Sequence, residues 1–484
     1  MKTRFYIALT LTLLCLALHS CKTLDTTVSI PTRPIPKAFT QSLSIRELSA
    51  ADTTTLGGLH WRQLFQDTLL TDLIDTALHN NFDLKTALQR IEFAKANLQF
   101  ARGEILPKVQ GSIGGGMRKY GLYTMDGAGN ISTEITPGQI VPVNLPDLSF
   151  GIQTTWEADI WGKLRKRSDA AEAQTLASAE GVRFLTTAII AEVATAYFDL
   201  VALDNELDIL RNTIQKYREA LQTIELKKEA GRANELAVQQ FEAQVLSLQV
   251  QAQETEQLTR LRENSLNALL GRFPEPIVRR KEMVLRAIPE QLAAGIPAQL
   301  LENRPDIREA AEYVRASAFE VEAAKAAFFP TLTLSAGIGF QAFDPQFLLL
   351  APASLAYNAL GGLVAPLVNW QGLEAQFSSA KSTQIQALYQ YHKSILNGYV
   401  EVVNSLSTLQ TLQQILMLKN QERAVLLESV DVSVALYKSA KATYIEVLLA
   451  QANAFQAQME LIGIQKRQRI EFVQLYRALG GGWR

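Results

Sequence analysis

The sequence predicts an α+β membrane protein built by internal duplication, with four amphipathic strands and four long helices in each chain. Three observations predict it. Segments of the chain recur at fixed offsets, short stretches alternate apolar and polar residues, and much longer stretches repeat apolar residues every seven.

The chain opens on a targeting segment, residues 1–21. Lys2 and Arg4 give a positive start, and Phe5 to Leu18 is an almost continuous apolar stretch. It ends in Leu18-His19-Ser20-Cys21, a Leu-x-x-Cys pattern read as a cysteine that is acylated and becomes the mature N-terminus, with an ordinary cleaved signal peptide as the alternative. The two cysteines are Cys15 and Cys21, so maturation at Cys21 leaves no thiol for a disulfide or a thiolate metal site. Two or three acyl chains anchor a protein stably where a single chain is marginal. Lys22 follows, not the aspartate that holds many enterobacterial lipoproteins at the inner membrane. Residues 22–60 are rich in Thr, Ser and Pro and read as an extended linker.

The formal net charge of -1 argues for neither a nucleic-acid partner nor a solvating acidic tail. After the first 20 residues no run reads as long and uncharged enough for a transmembrane helix. Membrane crossing therefore falls to β-strands.

The duplication is the most informative feature. Asn81-Phe82-Asp83-Leu84 to Leu106-Pro107 matches Arg304-Pro305-Asp306-Ile307 to Phe329-Pro330 at an offset of 223. Trp161 and Trp370, Glu192-Val193 and Glu401-Val402, and Leu270-Gly271 and Leu479-Gly480 share an offset of 209. The change from 223 to 209 puts one length difference of 14 residues between Pro107 and Trp161, where a surface loop is expected. The first repeat is read as residues 61–271 and the second as 300–484, joined by a connection over 272–299.

Each repeat reads helix, two strands, long helix, turn, long helix. The strands are expected at about 107–117, 147–160, 330–341 and 357–369. Leu332, Leu334, Ala336, Ile338 and Phe340 alternate with polar or small residues, as do Leu148, Phe150, Ile152 and Trp156, and Val109, Ile113 and Met117. The fourth strand alternates less cleanly. Such alternation suits a tilted membrane crossing with one face in lipid. Four strands cannot close a barrel, and an open edge cannot sit in lipid. Several copies must share one barrel: three would give twelve strands and two would give eight.

Between Gly162 and Ala230 there is no proline and one glycine, enough for a helix of roughly 100 Å. Leu200, Leu207, Ile214 and Leu221, with Leu203, Leu210, Tyr217 and Ile224 between them, form a coiled-coil seam.

Signs of catalysis are missing. None of His19, His60, His79 and His392 pairs with another at metal-ligand spacing, and His60 and His79 are expected to be structural or solvent-facing. Gly111 to Gly116 lacks the Gly-Lys-Ser/Thr of a phosphate loop, and its glycines are attributed to crowded strands. There is no Gly-x-Ser-x-Gly and no dinucleotide fingerprint. The expectation is a protein that is not an enzyme and has no cofactor beyond the lipid on Cys21.

Six motifs then carry a resemblance. They are Trp61-x-x-Leu64-Phe65-x-Asp67; Trp156-Glu157-x-Asp159-x-Trp161-Gly162; Arg304-Pro305-Asp306-Ile307; Phe328-Phe329-Pro330; Tyr444-x-x-Val447-Leu448-x-Ala450-Gln451; and Leu475-Tyr476-x-x-Leu479-Gly480-Gly481-Gly482-Trp483. In this order they resemble the TolC/OprM-type outer-membrane efflux factors, in the lipidated branch that serves RND multidrug pumps. The resemblance implies a homotrimer with a twelve-stranded β-barrel, a twelve-helix periplasmic α-helical tube and an equatorial domain. It implies a periplasmic adaptor, a proton-driven inner-membrane RND pump and a tip closed at rest. The outlet of a type I protein-secretion system is the alternative from the same fold, and a coiled-coil lipoprotein without a pore is the alternative from another class.

Two departures from the family concern the site. Family members usually have glycine in both tip turns; here Gly231-Arg232 is matched by Ala440-Lys441, so Ala440 is expected in a different turn geometry. The family's aspartate in the following helix is replaced by Leu449. Ile445 and Leu449, one helical turn apart, are expected to stack apolar rings at the periplasmic gate. Gly231, Arg232, Ala440 and Lys441 are the expected adaptor contacts.

Overall fold

The computed structural model describes residues 26–28, 34–36, 39, 56–281, 297–365 and 370–484. The signal segment with Cys21, most of the 22–60 linker, and residues 282–296 lie outside them.

The main elements are helices α1 (Thr68–Asn80) and α2 (Phe82–Gly103), strands β1 (Lys108–Arg118) and β2 (Leu145–Ala158), and helices α3 (Lys163–Glu229) and α4 (Glu235–Leu269). They are followed by α5 (Pro305–Ala326), β3 (Thr331–Ala342), β4 (Leu355–Val364), α6 (Trp370–Lys438) and α7 (Tyr444–Ala478). The duplication holds to the residue. Helices α2 and α5 begin and end 223 apart, and α4 and α7 begin and end 209 apart. The length difference sits wholly in the loop between strands: residues 119–144 (26) in the first repeat, 343–354 (12) in the second. The longer loop carries a short helix, Met125–Ser132, and a two-stranded ribbon.

The chain divides into two compact units, each drawing on both repeats. One contains the strands. They form an antiparallel sheet in the order β1-β2-β3-β4. The register again carries the duplication: Lys108 pairs with Thr155, and Thr331 with Val364, their equivalents. The alternation puts Val109, Ile113 and Met117 on the same face as Phe150, Ile152, Trp156, Leu334, Ile338, Phe340, Tyr357 and Leu363. Ile113 is 93% exposed and Tyr357 80%, so this apolar face does not cover a core of its own. The fourth strand ends at Val364, with residues 366–369 outside the described region. Leu360 and Val364 sit on its otherwise polar face and break the alternation.

Two motifs order the edge of this unit. Asp159 accepts hydrogen bonds from the Leu164 and Arg165 amides and so caps the start of α3. Burial raises its carboxyl, but these bonds and the Arg165 guanidinium outweigh it and hold it below the usual range. Trp161 donates to the Pro330 carbonyl at 2.8 Å and stacks on Phe329. Phe328 packs edge-on against Trp370 and Phe377.

The second unit holds the main core. Trp61, Leu64 and Phe65 are buried there, and Asp67 caps α1 while its Oδ2 accepts from the Tyr197 hydroxyl at 2.5 Å. That explains the spacing of the first motif: two apolar anchors and one acid that serves two elements. Arg304 is 4% exposed. It donates to Asp306, to Glu401 at 2.8 Å and to the Ala478 carbonyl at 2.9 Å. Its first-repeat equivalent, Asn81, donates to Leu269, the equivalent of Ala478. The glycines ending the two hairpins, Gly271 (φ 69°) and Gly480 (φ 83°), are required, because a Cβ would lie 2.5 Å from the Asn80 and Asn303 carbonyls respectively. A separate cluster, Leu210, Ile214, Tyr217, Ile224, Phe241 and Leu248, fills the α3–α4 hairpin along the predicted heptad seam.

Two expectations are corrected. An 18-residue window of α3 does meet the length and composition of a membrane-crossing helix. Its most apolar stretch, Ile189 to Val201, contributes Ile190, Val193, Tyr197 and Phe198 to the core, so that stretch serves packing. The crowded glycines are not chiefly those of Gly111–Gly116, since a Cβ at Gly111 or Gly116 would meet open space. They are the paired Gly151 and Gly339, where a Cβ would come within 2.6 Å and 2.4 Å of backbone carbonyls across β2 and β3. His60 caps the Trp61–Leu64 turn through Nδ1, and His79 bonds the Asp75 carbonyl.

Candidate functional site

Five residues separate α3 from α4, and five separate α6 from α7. In the first turn the Gly231 amide bonds Lys228 and the Arg232 amide bonds Lys227. In the second, Ala440 bonds Tyr437 and Lys441 bonds Leu436, the same pattern 209 residues on. Gly231 has φ 70° and Ala440 φ 59°. Ala440 therefore does not adopt the different geometry expected from its Cβ. The two closing hydrogen bonds hold it in the left-handed region against a cost of about 1 kcal/mol.

The following helices begin at equivalent residues but are capped differently. Asn234 accepts from the Ala237 amide, and at its equivalent, Thr443, both amide and hydroxyl donate to Glu446. These bonds hold the Glu446 carboxyl below the usual range. Lys227 lies 3.9 Å over the ring of Tyr437, joining the two tips, and Lys228 pairs with Glu235. Gly231, Arg232, Ala440 and Lys441 are all exposed. The structure thus sets the four expected tip residues on two neighbouring, equivalent turns.

Just beyond, α7 separates two faces. Val447 and Ala450 are buried, and Tyr444 and Leu448 pack on the α3–α4 cluster. Ile445 is 51% exposed and Leu449 59%, turned away from that contact. Asn453 and Gln456 continue the exposed stripe as amides. Sequence reasoning missed these two, although helical spacing from Leu449 points to them. The first-repeat equivalents of Ile445 and Leu449 are Leu236, which is exposed, and Gln240, whose Oε1 is buried.

A four-stranded sheet with an exposed apolar face and two long helical hairpins are the features of a class, the outer-membrane efflux components. The chain belongs to the outer membrane efflux protein family, which it matches over residues 73–272 and 296–481. It is 27% identical over 457 residues to the cation efflux system protein CusC of Escherichia coli O6:H1, covering 94% of each chain. It is 30% identical over 425 residues to the solvent efflux pump outer membrane protein SrpC of Pseudomonas putida, covering 87% of each. The structure of a membrane protein from Pseudomonas aeruginosa superposes with a TM-score of 0.82 at 25% identity, covering 95% of this chain and all of that one. This is a transport family, located in the outer membrane, and not an enzyme family.

Proposed function

We propose that three copies of this chain close one twelve-stranded barrel, that their hairpins form a twelve-helix periplasmic tube, and that substrates leave through it passively. The sheet carries this reading. Among the described residues β1 and β4 are its outermost strands, and its apolar face is exposed. In hydrocarbon each unpaired edge group costs several kcal/mol, so the edges must meet those of other copies.

The turns at Gly231-Arg232 and Ala440-Lys441 dock a periplasmic adaptor, and an inner-membrane RND pump supplies the energy. Their exposed, small-residue geometry beside a cation supports close backbone approach. Ile445 and Leu449 form the periplasmic seal, as narrowing apolar rings that exclude hydrated ions. Cys21 carries the lipid anchor. The pump selects the cargo: the two relatives named above are called cation and solvent efflux proteins while sharing this chain's length.

Single-channel recording in planar bilayers tests the duct. The protein should give discrete conductance steps, larger when Leu449→Asp hydrates the seal. A purified oligomer that stays electrically silent, with and without Leu449→Asp, would remove the channel reading.

A further inference from the structure

We propose that Glu309 and Glu180 share one proton across the crossing of α5 and α3, forming a latch that holds while the proton is bound and loosens when it is lost. The latch lies inside one copy and does not depend on how many copies assemble.

Glu180, on α3, is 6% exposed. Its Oε1 accepts from Arg183 at 2.5 Å and pairs with Arg308 at 2.6 Å. Both guanidiniums lie over the ring of Trp483, 4.9 Å and 5.4 Å from its centre, which keeps them on that oxygen. The other oxygen, Oε2, is buried and has no hydrogen-bond partner. A buried, charged acceptor left open in this way is costly.

Glu309, in the second turn of α5, lies beside it. Its Oε1 is 3.1 Å from where a Cβ on Gly181 would stand, so the carboxyl sits over the α3 backbone next to Glu180. The glycine leaves room for it. The cations nearby are committed elsewhere. Arg304 binds both oxygens of Asp306 and reaches Glu401, Arg183 and Arg308 hold Glu180 Oε1, and Arg484 donates to Asn303. Glu312, one turn further along α5, also has an interaction partner. Burial, together with the charges of Asp306 and Glu180, pushes the Glu309 carboxyl above its ordinary value of 4.5.

A protonated Glu309 is the donor that Glu180 Oε2 lacks, and a hydrogen bond from a carboxyl to a carboxylate is short and strong. When that proton leaves to water, two carboxylates face one another and attraction becomes repulsion. Glu309 binds its proton more tightly in the folded chain than in the unfolded one. The added stability is therefore fully present below the ordinary carboxylate value and is lost as pH rises through the raised one.

A divalent cation is the other occupant that an open carboxylate oxygen invites. Calcium takes six to eight oxygens. Here Oε1 of Glu180 already carries two guanidiniums and both oxygens of Asp306 are bound, which leaves Glu309 alone to join Oε2. A proton needs no more than that. The duplication does not supply the pair either: the equivalents of Glu180 and Glu309 are Tyr389 and Thr86, so the two acids are particular to this crossing and not a demand that the fold makes twice.

Infrared difference spectra of the full protein purified in detergent test the pair, because a protonated carboxyl has a carbonyl stretch that a carboxylate lacks. Wild type minus Glu309→Gln should show one such band, which bleaches only at a pH above the ordinary carboxylate range. Glu206 and Glu320, whose carboxyls are also raised by burial, cancel in the difference. Glu180→Gln removes the neighbouring charge and should move the bleaching down toward the ordinary value. The side-chain amide of Glu309→Gln can donate to Oε2 at every pH, so its thermal midpoint should stay level where the wild type's falls as pH rises. A difference spectrum without that band would overturn the proposal, and so would a wild-type midpoint that falls no more than the variant's. A midpoint raised by magnesium or calcium chloride in the wild type, but not in Glu309→Gln, would assign the two acids to a cation and overturn it as well.

Discussion

Gly231 and Ala440, 209 positions apart, hold the same left-handed backbone conformation, closed by the same pair of hydrogen bonds. One has no Cβ and the other does, yet the turn is unchanged. The tertiary arrangement of the hairpin, not the local preference of its turn residue, decides the geometry there.

Replacing Ala440 with glycine should therefore stabilise the second turn by about 1 kcal/mol, since φ 59° suits glycine. Ala440→Val should loosen it by more. Hydrogen exchange of the Ala440 and Lys441 amides reads the effect locally. Faster exchange in Ala440→Gly would mean that the left-handed turn is not populated.

Arg304 ties the start of the second repeat to its end through Asp306, Glu401 and the Ala478 carbonyl. Arg304→Met leaves those acids without their cation and should cost about 3–5 kcal/mol. Arg304→Lys should recover only part, because an ammonium cannot reproduce the forked contacts. Asn81→Ala, at the equivalent place, removes a neutral donor and should cost about 1–3 kcal/mol. Thermal unfolding in detergent should rank Arg304→Met below Asn81→Ala. Equal midpoints for all three and the wild type would show that the tie contributes nothing.

Much of this was legible in the sequence because the duplication is nearly gapless. Two offsets located both helix pairs, and the single length difference fell in the loop between strands. The heptad from Leu200 to Ile224 marked a seam that is buried. Less legible was β4, where Leu360 and Val364 break the alternation. Which glycines are crowded also stayed hidden, since Gly151 and Gly339 meet across strands from different repeats. The membrane-length stretch of α3 was missed because Glu192 and Asp199 interrupt it.

At the seal, Leu449→Asp places like charges close together about the axis and hydrates the apolar ring. Conductance should rise, and cells should become more sensitive to large antibiotics, with assembly retained. Ile445→Ser should act in the same direction and more weakly. Wild-type conductance from both variants would place the constriction elsewhere, with these side chains packing against a neighbouring helix.

For docking, Gly231→Trp and Ala440→Trp should abolish efflux in cells while leaving folding and membrane insertion intact. Bulky rings block the close backbone approach that the two turns allow. Normal efflux by both variants would exclude the tip as the adaptor site.

The central claim is that one chain supplies only part of a closed barrel, and native mass spectrometry of the detergent-solubilised protein tests it most directly. The account predicts a complex of three chains, each beginning at Cys21 and carrying two or three acyl groups. A stable monomer or dimer, with no trimer at any protein concentration tested, would contradict it.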